Sequence, residues 1–133
     1  MFRVLTLIAA LVLAAPAARA QSDGIEAVIR AQLGAFTDRD EAGAFAYASP
    51  ALQVYFGTPE VFGRMVRGGY PMVWDNADAQ MLERREIAGR LWQKVLIEDA
   101  AGRIWVLDYA MIETAEGWRI DGVQILPAPD AGV

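Results

Sequence analysis

The chain of 133 residues carries 12 basic and 17 acidic side chains and neither histidine nor cysteine, for a formal charge of −5. Without imidazole or thiol it can build no Ser-His-Asp triad, no cysteine nucleophile, no ordinary zinc site and no disulfide, so catalysis would fall to carboxylates, tyrosine, lysine or a bound cofactor. An excess of acid, with no stretch that clusters Lys and Arg among aromatics, also argues against nucleic acid and anionic lipid as partners.

The first segment, "MFRVLTLIAALVLAAPAARA", places Arg3 before an apolar run from Val4 to Ala15 and ends in Ala18-Arg19-Ala20. That layout predicts a secretory signal peptide over residues 1 to 20, cleaved before Gln21, and an exported protein, periplasmic or extracellular. The run is shorter than the about 20 residues needed to cross a bilayer, so no membrane attachment is expected after cleavage. Loss of Arg3 and Arg19 with the segment takes the charge from −5 to −7. What remains has the size of a single domain, expected over residues 21 to 126, with a loose tail over 127 to 133.

From Gly24 to Thr37, Ile25, Val28, Ile29, Leu33 and Phe36 recur at helical spacing, with Gln32 on the edge of that stripe. A second short helix is expected from Asp40 to Ala48, its acids at the N-terminus and Ser49-Pro50 at its end. One irregular helical turn follows over "SPALQVYFG". Thr58-Pro59-Glu60 then opens a third helix, in which Val61, Phe62, Met65 and Val66 repeat until Gly68-Gly69. Beyond Tyr70-Pro71 the period changes to two, and strands are expected over 72 to 75, 79 to 88, 91 to 99, 103 to 113 and 117 to 126. Helices followed by an antiparallel meander define an α+β fold, the helices packed on the concave face of a curved sheet.

Two strands carry questions of chemistry. In "GWRIDGVQIL" the apolar phase set by Trp118 and Ile120 slips before Val123 and Ile125, which a β-bulge at Gly122 would correct. Arg119 and Asp121 would then point outward together, as an exposed ion pair contributing about 0 to 1 kcal/mol. In "IWVLDYAMI" Asp108 shares a face with Ile104, Val106, Ala110 and Ile112, while Trp105, Leu107, Tyr109 and Met111 form the bulkier opposite face. The bulkier face suits the helix-covered core, which sets Asp108 on the open or dimer-facing side.

The run "IEAVIRAQLGAFTDRDEAGAFAYASPALQVYFGTPEVFGRMVRGGYP", with "WQKVLIED", "LDYAM" and "GWRIDGVQIL", resembles the family called domain of unknown function 4864. That family looks like a member of the nuclear-transport-factor-like, or ketosteroid-isomerase-like, superfamily. The resemblance implies a cone-like, cystatin-like fold with a pocket between helices and sheet, which different members use for catalysis, ligand binding, packing or dimerisation. In isomerase-type members a carboxylate serves as base while a tyrosine and a protonated acid hold the oxyanion. The nearest residue types here are Asp38 or Asp40, Tyr47, and Asp108 or Tyr109.

Simpler motifs fail. A calcium loop at "DRDEAG" ends on Ser49 where glutamate is required, and "GRMVRGGY" lacks the Lys-Ser/Thr ending of a phosphate loop. No metal site and no cofactor are expected. Gln32, Tyr47, Gln93 and Tyr109 are the candidates to line a pocket, although a structural hydrogen-bond network would explain them equally. Three functional readings follow: a binding module for a small hydrophobic ligand or a protein partner, as a monomer or a homodimer; an acid–base enzyme of the isomerase or dehydratase type using Asp108, Tyr47 or Asp40; or a filled cone whose sheet face mediates assembly.

Overall fold

The computed structural model describes residues 17 to 127, with side chains from Gly24 onward. Helices α1 (Ala17–Thr37), α2 (Glu41–Ala46), α3 (Pro50–Phe56), α4 (Pro59–Gly69) and α5 (Pro71–Trp74) precede strands β1 (Asn76–Ile87), β2 (Arg90–Asp99), β3 (Ile104–Thr114) and β4 (Gly117–Ile125). The signal peptide expected over residues 1 to 20 and the tail expected over 127 to 133 fall almost wholly outside the described residues. α1 is already helical at Ala17, so it runs through the expected cleavage point.

Helices α2, α3 and α4 start where the sequence supplies a cap. Asp40 accepts from the Gly43 N–H at 2.9 Å to open α2, Ser49 accepts from the Leu52 N–H at 3.3 Å to open α3, and Thr58 accepts from the Val61 N–H at 3.2 Å to open α4. Pro50 and Pro59 occupy first-turn positions, where the missing N–H loses nothing. α3 stops at Gly57, whose φ of 79° only glycine adopts without strain.

The strands form one antiparallel sheet in the order β1-β2-β3-β4. Ile25, Ile29, Leu33 and Phe36 of α1, with Phe62 and Val66 of α4, pack on Val95, Ile97, Leu107, Tyr109, Met111 and Ile120 of the sheet. Burying such side chains contributes about 1.5 to 3 kcal/mol each, enough to hold the layers together without a cross-link. This is the expected α+β layout with helices on one face of a curved sheet. The free edge of β4 is partly closed by the α2–α3 linker. There Ser49 N–H donates to the Ile120 carbonyl at 2.8 Å and Ile120 N–H to the Tyr47 carbonyl at 2.9 Å.

Three expectations need correction. Residues 71 to 74 are the helical turn α5 rather than a strand. The Tyr70 carbonyl accepts from the N–H groups of Val73 and Trp74 and the Pro71 carbonyl from that of Asp75, local bonds that a strand does not make. In β4, Ala110 faces Gly122 and Met111 faces Ile120, so the bulged residue is Asp121, one position before the glycine. The bulge brings Trp118, Ile120 and Val123 onto the core, while Ile125 stays 42% exposed.

The third correction concerns Arg119 and Asp121, which do not pair with each other. Asp121 accepts from Ser49 Oγ at 2.6 Å and from the Arg90 guanidinium. Arg119 donates to the Trp118 carbonyl at 2.7 Å, lies over the Tyr47 ring at 5.9 Å and approaches Glu116 at 3.8 Å. Neither side chain is freely solvated, because the linker that covers β4 reaches both.

Candidate functional site

Between α3, α4 and the end of the sheet lies a cavity of about 230 Å³. Its walls come from α1 (Gln32, Phe36), α3 (Leu52, Phe56), α4 (Phe62, Met65, Val66), Tyr70 and the strand residues Tyr109, Ile120 and Val123. The deep positions Gln32, Phe36, Val66, Tyr109 and Ile120 are buried, whereas Leu52, Phe56, Met65, Tyr70 and Val123 are half-buried and surround the mouth. Phe62 joins the aromatic wall, its ring centroid 5.9 Å from Phe36 and 5.5 Å from Phe56. No charged side chain lines the cavity among the described residues.

Its polar groups are few and unequally committed. Tyr70 donates its hydroxyl to the Val123 carbonyl at 2.8 Å, and Gln32 donates its amide N–H to the Ala44 carbonyl at 3.1 Å. Tyr109 is 1% exposed, and its hydroxyl is the one fully buried side-chain polar atom among the described residues that has no hydrogen-bond partner. Burial first, and the neighbouring Tyr70 second, push this phenol above its ordinary pKa, so it remains protonated and able to donate.

The remaining sequence candidates lie elsewhere. Gln93 is buried beside the β1 bulge, donating to the carbonyls of Leu82 and Lys94 and accepting from Arg84 Nε, which commits it to strand geometry. Tyr47 closes α2 and packs beneath Arg119, outside the cavity. Asp40 is an exposed helix cap and Asp38 is exposed beside it.

Asp108 faces the side of the sheet away from the helices, where it is nonetheless buried and Arg85 grips it through two bonds of 3.1 and 2.7 Å. That bond in turn raises the Arg85 pKa above its ordinary value. Consecutive strand residues point to opposite faces, so Asp108 and Tyr109 cannot serve one site. Of the named candidates, the structure brings together Gln32 and Tyr109 alone.

Sequence reasoning missed Tyr70, Phe56, Leu52, Met65 and Val123 as cavity residues. Tyr70 had been read only as punctuation before Pro71, and the α3 residues as an irregular turn. Among the described residues, no group of acidic side chains is placed to hold a metal ion, and no helix is long and apolar enough to cross a membrane.

The fold and cavity define an α+β protein whose helices enclose an uncharged, aromatic-walled pocket against one sheet face. The chain belongs to the family described as Domain of unknown function (DUF4864), which matches residues 18–133. No curated protein and no solved structure matches it significantly.

Proposed function

We propose that this chain is an exported binding module that takes up a small, largely apolar molecule in the pocket between α3, α4 and β4. The observation that carries the reading is the cavity itself, about 230 Å³ walled by aliphatic and aromatic side chains. A dry apolar cavity of about 150 Å³ accommodates benzene, and drug-sized molecules occupy about 300 Å³ or more. The occupant is therefore a molecule of one or two rings, or a short branched chain. The layout of residues 1 to 20 supports export, and the implied relation to cone-shaped ligand-binding folds supports the choice of pocket.

The acid–base reading requires a carboxylate within hydrogen-bond reach of a tyrosine inside the cone. Asp38 and Asp40 are at the surface, and Asp108 is on the far face of the sheet, so the binding reading has the better geometry. The test is titration of the purified chain with a naphthalene-based solvatochromic dye. Saturable, single-site blue-shifted emission is expected. Emission that rises without saturation, or that tracks unfolding, would overturn the proposal.

A further inference from the structure

The chemistry at the deep end of the cavity specifies more than an apolar occupant. Tyr109 enters the cone from β3, and its hydroxyl lies inside the core with nothing to accept its proton. Tyr70 directs its own proton to the Val123 carbonyl and Gln32 directs one amide N–H to the Ala44 carbonyl, and neither oxygen accepts from Tyr109. With its O–H spent, Tyr70 has only acceptor lone pairs left, while the Gln32 amide keeps its carbonyl oxygen and a second N–H. Tyr109 is thus the lining residue whose hydroxyl is buried without a partner, and the cavity walls carry neither cation nor carboxylate.

We propose that the cone selects uncharged ligands bearing one oxygen acceptor, such as a ketone, aldehyde, ester or ether, which receives the Tyr109 hydroxyl, and that it rejects the matching carboxylates and amines. This rests on the cavity being a ligand site. Three physical steps support it. Folding has already removed the Tyr109 hydroxyl from water, so a ligand acceptor displaces no protein hydrogen bond and the new bond is offset only by desolvation of the ligand's own oxygen. A carboxylate would be desolvated with no cation in the walls to pair with it. An ammonium would be desolvated with no counter-charge in the walls. Protonated at neutral pH because of its burial, the phenol cannot act as an acceptor-only phenolate.

The experiment compares naphthalene, 2-acetylnaphthalene, 2-naphthoate and 2-naphthylmethylamine as competitors for the bound dye, in the wild-type chain and in Tyr109→Phe. In the wild type the ketone should bind about tenfold more tightly than naphthalene, the net gain of one hydrogen bond. The naphthoate and the amine should fail to compete. Tyr109→Phe should abolish the preference for the ketone over naphthalene, and the carbonyl stretch of the bound ketone should shift to lower frequency only in the wild type.

Equal ketone binding by Tyr109→Phe, as a resident cavity water on the hydroxyl would produce, overturns the assignment. So does competition by the naphthoate as strong as that of the ketone. If naphthalene binds without any ketone preference, the cavity reading survives and this inference fails. If none of the probes competes, both fail. Should Tyr109→Phe not fold, the wild-type probe ranking and the carbonyl shift decide alone.

Discussion

A tyrosine hydroxyl held in the core without a partner is a local debt of the apo fold, and it makes Tyr109 a residue where stability and recognition oppose each other. An unmet buried hydroxyl costs about 1 to 3 kcal/mol, so Tyr109→Phe keeps the ring packing and removes the penalty. Urea denaturation of Tyr109→Phe should show a stability equal to or up to about 1 kcal/mol above the wild type; a loss of several kcal/mol would mean that the hydroxyl has a partner. Asp99 is the opposite case. Its carboxylate accepts from the N–H groups of Ala101 and Arg103 at 2.9 Å each and from Trp105 Nε1 at 3.0 Å, closing the β2–β3 turn. The Trp105 bond above all, then the turn N–H groups and Arg103, hold its pKa below the usual aspartate range against the opposing effect of burial. A depressed folded-state pKa gives stability that is complete above the unfolded value of about 3.9 and fades as pH falls through the lower folded value. Acid denaturation followed at Trp105 should therefore be shallower below pH of about 4 in Asp99→Asn, and an unchanged acid limb would refute the linkage. The direction of Tyr109 was legible in the alternation of Trp105, Leu107, Tyr109 and Met111. The isolation of its hydroxyl was not, because that depends on how residues far off in sequence, Tyr70 and Gln32 among them, pack around it.

Ser49 shows how the elements around the cavity are tied. Its hydroxyl oxygen accepts from the Leu52 N–H and its proton goes to the bulged Asp121, so one side chain both starts α3 and fixes the bend in β4. Those two elements supply Leu52, Phe56 and Val123 to the cavity mouth. α3 itself has no buried residue and leaves Val54 84% and Tyr55 80% exposed, so it is held by this cap, by Gln53 donating to the Phe45 and Ala48 carbonyls, and by Leu52 and Phe56 packed against the core. Ser49→Ala should destabilise the chain by about 1 to 2 kcal/mol and raise amide exchange in α3 and around Asp121 well before the rest of the sheet; uniform exchange across the molecule would contradict it. Strands β1 to β4 were legible from period-two alternation and glycine-bearing turns, and the helices from their caps and prolines. Residues 71 to 74 misled because four residues are too few to separate a helical turn from a strand by period, leaving Pro71 as the only cue. The bulge was legible as a phase slip, but placing it at Asp121 required knowing that Ser49 and Arg90 wait there to receive the displaced carboxylate.

At the scale of the molecule, one apolar cluster spans helices and sheet, and the cavity is the place where that cluster is incompletely filled. Apolar walls left without packing partners forgo contacts that a ligand can supply on binding. Val66, buried on α4 and lining the cavity, is the position from which a larger side chain can occupy the same space without touching Tyr109's place in the sheet. Val66→Phe should leave stability equal to the wild type or raise it by about 1 kcal/mol, the transfer gain set against some repacking strain. The same substitution should abolish dye binding. Thermal unfolding with and without dye separates the two effects: at 100 times its Kd the dye should stabilise the wild type by about 2.7 kcal/mol and leave Val66→Phe unmoved, because its site is already full. A variant that folds well and still gains stability from the dye would place the binding site outside the cone, on the uncovered sheet face or the exposed side of α3.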